Sequence, residues 1–148
     1  MENTRNNAAF DMKYHLVFVT KYRRKALSEA MRDRARAIIT DLLQAWRCEL
    51  IEFGGEEDHI HMLFAAHPAL DMSKIVNNLK TVSSRRLRSE FADELRKFYW
   101  KPVLWHGAYY IGTVGGATLE TVKRYVEQQG QDKWSPSRRA AQQNKKGR

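Results

Sequence analysis

The sequence predicts an α+β fold, a ferredoxin-like or RRM-like antiparallel sheet with helices on one face, plus a C-terminal helix that carries a tyrosine. Three observations predict it. The periodicity runs strand, helix, strand, strand, helix, strand, then one more helix. The segment His59-Ile60-His61-Met62-Leu63-Phe64 alternates with period two, so one face of a strand is apolar. Two longer segments carry apolar stripes at helical spacing.

The first strand spans Lys13 to Thr20, a run rich in aromatic and β-branched residues. A basic loop follows, with Tyr22 set among Lys21, Arg23, Arg24 and Lys25. Ser28 suits an N-cap for a helix to about Arg47, with Met31, Ala35, Ile38, Ile39, Leu42 and Trp46 on one stripe. Glu49 to Phe53 reads as a second strand that Gly54-Gly55 ends. It pairs as a hairpin with the third strand, His59 to Ala66. After the break at His67-Pro68, Asp71 caps a helix to about Arg88, with Met72, Ile75, Val76, Leu79 and Val82 inward. A short helical segment near Glu90 to Phe98 follows. Trp100 to Val114 forms one or two strands. Gly115-Gly116 makes a flexible joint, and Thr118 caps a last helix that Gly130 ends.

One domain is the natural reading of 148 residues, with 1–12 a flexible N-terminus, 13–130 the folded domain and 131–148 a basic, disordered tail. No apolar run approaches the roughly 18–20 residues that span a bilayer. The N-terminus lacks the apolar centre of a signal peptide. Cys48 is the single cysteine, so an intrachain disulfide and a thiolate zinc cage are excluded, and a cytoplasmic setting fits. The formal charge is +9 from 26 basic and 17 acidic residues. Six basic residues and one acid after Gly130 contribute +5 of it, leaving +4 for the body. The body's charge clusters at Lys21, Arg23, Arg24 and Lys25, and at Lys80, Arg85, Arg86 and Arg88. Such clusters favour a polyanion partner, nucleic acid first, although a solvated surface has the same appearance.

On a strand, His59 and His61 point to one face and Ile60, Met62 and Phe64 to the other. Two imidazoles side by side begin a divalent metal site; a pair of ordinary polar residues also fits the pattern. A third ligand is needed. On the last helix, Leu119, Val122 and Val126 form an apolar stripe, and Tyr125 and Gln129, four apart, stack on one face. Glu127 and Gln128 are alternative ligands pointing further round the helix.

These residues together resemble the single-tyrosine transposases of the TnpA type, encoded by very small bacterial insertion sequences. The matching stretches are Tyr14-His-Leu-Val-Phe-Val-Thr-Lys-Tyr-Arg-Arg24, the Asp58-His59-Ile60-His61 strand, and Val122-Lys-Arg-Tyr125-Val-Glu-Gln-Gln129. The resemblance runs from about Lys13 to Gln129 and implies His59 and His61 as metal ligands, Gln129 as the third ligand and Tyr125 as nucleophile. It implies Mg²⁺ or Mn²⁺, imidazole favouring Mn²⁺. It also implies single-stranded DNA with hairpins as substrate, a 5′-phosphotyrosine intermediate, and a homodimer whose tyrosine helices can be exchanged. No membrane and no small-molecule substrate enter. Candidate DNA contacts are Lys21, Tyr22, Arg23, Arg24, Lys25, Lys80, Arg85 and Arg86. Rival readings are a replication initiator or relaxase of the same His-hydrophobic-His class, a non-enzymatic RRM-like binding module, and a small zinc hydrolase using Asp58 or Glu57.

Overall fold

The structure, a computed structural model, describes residues 12–114 and 124–129. Strand β1 (Met12–Thr20) runs into a 3₁₀ turn (Lys21–Arg23), then α1 (Glu29–Ala45), β2 (Glu49–Glu56) and β3 (His59–Ala66). Helix α2 (Met72–Glu90), the short α3 (Ala92–Leu95) and β4 (Trp105–Thr113) complete the core, and residues 124–129 form a last helical segment. The sheet order is β2-β3-β1-β4, with every neighbouring pair antiparallel. This is the α+β architecture that the sequence predicts.

Both long helices start where a side chain accepts from an otherwise unbonded N–H. Ser28 accepts from Met31 at 3.2 Å and Asp71 from Lys74 at 3.3 Å. Helix α1 ends at Ala45, two residues before the predicted Arg47, and buries Leu43 more fully than Leu42. Helix α2 continues to Glu90 and adds Ser83 and Leu87 to its buried face.

The core lies between the helices and one face of the sheet. Leu16 and Phe18 of β1 and Ile60, Met62 and Phe64 of β3 pack there with Ile38, Ile39, Ile75 and Leu79. Trp105 of β4 ties the sheet to α2 through an Nε1–H bond to Ser83 Oγ, 3.0 Å. These nine apolar side chains of the sheet and helices are essentially inaccessible, and at about 1.5–3 kcal/mol each their burial is the main drive for this layer.

Gly54 and Gly55 do not end β2; they lie inside it. Glycine reads as a turn signal in sequence, but here close packing demands it. A Cβ on Gly54 would lie 3.0 Å from the His61 ring, and one on Gly55 only 2.4 Å from His59 O. A bulge at Ile51 makes this register possible: Leu50 pairs with Phe64 but Glu52 already pairs with Leu63. The extra residue puts Phe53 opposite Met62 on the core side and Gly54 opposite His61 on the other. The segment from Trp100 to Val114 resolves into one strand, Trp105–Thr113. The joint at 115–116, the Thr118 cap, the stop at Gly130 and the tail lie outside the described residues.

Candidate active site and nucleic-acid interface

His59 and His61 share the face of β3 opposite the helices, as period two requires, while Ile60, Met62 and Phe64 are buried beneath. Their rings stack with centroids 5.8 Å apart and planes 24° apart. That face is not free. Val17 and Val19 of β1, cross-strand partners of His61 and His59, are buried there against Val126. Tyr110 and Tyr125 pack on the same cluster, with ring centroids 5.6 Å apart. The helical segment 124–129 therefore lies across β1 on the histidine face. It carries Tyr125, half-buried with its hydroxyl oxygen shielded, and Gln129, which is 3% exposed.

A chain of polar contacts braces this arrangement. Asp58, at the β2–β3 turn, places Oδ1 2.9 Å from His59 Nδ1. Its Oδ2 accepts from Arg23 Nε at 2.7 Å, and Arg23 Nη1 donates to the Glu127 carbonyl at 3.4 Å. Burial pushes the Asp58 carboxyl up, but hydrogen bonds from Arg23 and His59 outweigh it and leave its pKa below the ordinary value. An ionised carboxylate can only accept, so Nδ1 of His59 donates to it, which leaves Nε2 as the ring nitrogen a metal would use. Burial, then the neighbouring His59, lower the His61 pKa and so favour its neutral form, against smaller opposing effects of Glu52 and Glu56. Two imidazoles on one face suit a divalent ion. Glu56, Asp58 and His59 also bring ligand atoms within 4.8 Å of one another, which offers carboxylate oxygen beside the histidine pair.

Arg23 reaches inward because the turn is left-handed at two successive residues, Tyr22 at φ 61° and Arg23 at φ 53°. Non-glycine residues pay for that conformation with roughly 1–3 kcal/mol of strain each, a feature that clusters at functional sites. Thr20, fully buried, holds the turn down: its hydroxyl lies 2.6 Å from Arg24 O and 3.2 Å from Asp58 O. Nothing in the spacing marks Thr20, whose partners lie across the fold.

Residues 8–129 match the family described as IS200-like transposases. The chain belongs to that family. It is 30% identical over 120 residues to the ISDra2 transposase TnpA of Deinococcus radiodurans, covering 81% of this chain and 85% of that one. It is 32% identical over 128 residues to the transposase of insertion sequence IS200 from Salmonella typhimurium, covering 86% and 83%. A solved Deinococcus radiodurans transposase superposes with a TM-score of 0.76 at 30% identity, over 87% of this chain and 98% of that one. The fold also matches a REP-associated tyrosine transposase solved bound to a REP hairpin, with a TM-score of 0.52 at 12% identity, over 85% and 68%. This IS200-like transposase is thus a member of a family of DNA transposases.

Its basic residues separate into groups. Lys21, Tyr22 and Arg24 line one cavity together with Tyr99, Trp100 and Lys101, three residues the charge pattern did not single out. Arg23 is turned to Asp58, and Lys25 is exposed beside it at a second concavity. Lys80 points inward: it donates to Gly107 O at 2.7 Å and lies 5.7 Å from the Tyr109 ring, and burial lowers its pKa to about 8. Arg85 is exposed on α2, whereas Arg86 lies 3.8 Å from Glu90. No helix among the described residues is long and apolar enough to cross a membrane.

Proposed function

We propose that the protein cleaves and rejoins single-stranded DNA at insertion-sequence ends, with Tyr125 as nucleophile. The observation that carries this reading is the docking of the Tyr125 segment across Val17 and Val19, on the face that presents His59 and His61. A tyrosine hydroxyl and two imidazoles on one surface are what a phosphoryl-transfer site of this type requires.

In the forward step the Tyr125 oxygen attacks the scissile phosphorus as its hydroxyl proton departs. The bond to the 3′ oxygen breaks, and that oxygen takes up a proton to become a free 3′-hydroxyl. A 5′-phosphotyrosine link remains, so the 3′-hydroxyl of another strand can attack it and release Tyr125 without ATP. His59, His61 and Gln129 would hold a divalent ion, Mg²⁺ or Mn²⁺, which when bound polarises the phosphate and offsets its charge. Asp58 fixes the His59 ring so that Nε2 faces outward, and Arg23 joins that carboxylate to the Tyr125 segment. The site would assemble within one chain or, by exchange of the segment within a homodimer, between two. Hairpins at the element ends are the proposed recognition element, as in the REP-associated relative. An RRM-like module is less well supported, because Tyr110, on the histidine face, is packed against Tyr125 rather than left for a base.

The test is an end-labelled single strand from each flank of the gene, incubated with Mn²⁺ or Mg²⁺ and run on a denaturing gel. The expected result is a metal-dependent cleavage product that Tyr125→Phe abolishes while hairpin binding persists. Cleavage by Tyr125→Phe at the wild-type rate would reject the assignment.

A further inference from the structure

We propose that the cavity between the Lys21–Arg23 turn and the loop after α3 takes one unstacked base of single-stranded DNA, with flanking phosphates on Lys21, Arg24 and Lys101. The inference rests on the single-stranded DNA reading above and adds a site that the catalytic residues do not include.

The cavity is open and has a volume of about 240 Å³, several times the roughly 30 Å³ that one water occupies in the liquid, so it admits a planar ring. Two aromatic side chains on its rim are exposed, Trp100 by 85% and Tyr22 by 55%. One exposed aromatic is ordinary on any surface; two on a single concavity are a surface for stacking. Trp100 is the larger, and the Lys101 ammonium lies 5.0 Å from its ring centre. The Arg24 guanidinium sits between two rings, 5.1 Å from Tyr22 and 5.5 Å from Tyr99. The Tyr99 hydroxyl donates to Lys21 O at 2.7 Å, and burial pushes its pKa up to about 12, so the floor is a fixed, neutral phenol.

Charge selects the ligand. Three cations and no carboxylate line this cavity. The neighbouring concavity, also next to the turn, is lined by Glu56, Glu57 and Asp58 besides its basic groups. An aromatic rim with cations alone is the pairing that tracks a nucleic-acid single strand, the rings taking bases and the cations taking phosphates. A duplex keeps its bases stacked inside and cannot use the rings. The turn links the cavity to the proposed active site: Tyr22 faces the cavity, and the next residue, Arg23, reaches Asp58 and Glu127 O. The left-handed backbone at both positions sends these side chains to opposite sides.

The experiment measures anisotropy of fluorescein-labelled oligo(dT) of about 12 nucleotides, within the roughly 4–16 that one single-strand site covers. An all-abasic strand of equal length and a duplex serve as comparisons. The full chain carries Tyr125→Phe and the buffer carries EDTA, so cleavage cannot contribute. Trp100→Ala should weaken oligo(dT) binding by about 10-fold, from roughly 1–3 kcal/mol per stacked base. It should leave abasic and duplex binding unchanged, and Trp100→Phe should recover most of the loss. Because Trp100 is exposed, the fold should survive, which circular dichroism verifies. Equal oligo(dT) affinity in Trp100→Ala, or an equal loss on the abasic strand, overturns the proposal. The denaturing-gel assay separates the two readings. Absence of cleavage with Trp100-dependent binding retained sinks the catalytic reading alone. Cleavage with Trp100-independent binding sinks the cavity alone.

Discussion

Gly54 and Gly55 are adjacent, yet a methyl group at each meets a different obstacle. At Gly54 it meets the far end of the His61 side chain, which can rotate away; at Gly55 it meets the backbone of His59 and Ile60. Gly54→Ala should therefore keep the fold within about 1 kcal/mol but displace His61. Calorimetric titration should show weaker Mn²⁺ binding, by about 10-fold or more on the scale of lost positioning contacts. Gly55→Ala has no such escape, and thermal unfolding should show a loss of about 2 kcal/mol or more. Equal effects at the two positions would contradict the packing described. Arg23 belongs to the same scale. It is one-third exposed, but it bridges Asp58 and Glu127 O, and charged hydrogen bonds contribute about 1.5–3 kcal/mol before solvent screening. Arg23→Ala should lower stability by about 1 kcal/mol, a drop of about 2–4 °C in Tm. It should also slow cleavage more than Arg23→Lys does, which single-turnover kinetics would show.

The strand β3 was fully legible, because alternation is a local signal: its limits, its hairpin partner and the separation of His59 and His61 from Ile60, Met62 and Phe64 all follow from period two. The caps at Ser28 and Asp71 were equally local. The bulge at Ile51 was not legible. It is recognised only against β3, where Leu50 and Phe53 must both face the core. Lys80 on α2 shows a comparable limit. Counted as surface charge, it is a DNA contact; packed beneath Tyr109 and Gly107, it is a partly buried cation. Its pKa, lowered from 10.5 to about 8, has a definite sign. The unfolded chain holds the proton more tightly, so stability should rise with pH from about 8 and level off near 10.5, by at most about 3.5 kcal/mol at 1.4 kcal/mol per pH unit. Lys80→Met should flatten that rise. A wild-type unfolding curve with no such rise relative to Lys80→Met would contradict the burial.

For the whole molecule, one layer of helices makes the sheet rigid, and the opposite face carries the proposed chemistry under a short helical segment. Val126 on Val17 and Val19 covers part of that face, a contact spanning more than a hundred residues that no local pattern contains. The family assignment accounts for the topology. It does not by itself assign Thr20, Asp58 or Trp100, which stand out only once the turn after β1 is seen to join both sites. The proposed reaction requires the Tyr125 oxygen to bond the 5′ phosphorus of the cleaved strand. The most direct measurement is mass spectrometry of the protein trapped on its cleaved strand, digested to peptides and nucleotides. The account predicts a 5′-phosphonucleotide on the peptide containing Tyr125 and on no other. A nucleotide on a different residue, or cleaved strands with no protein attached, would contradict it.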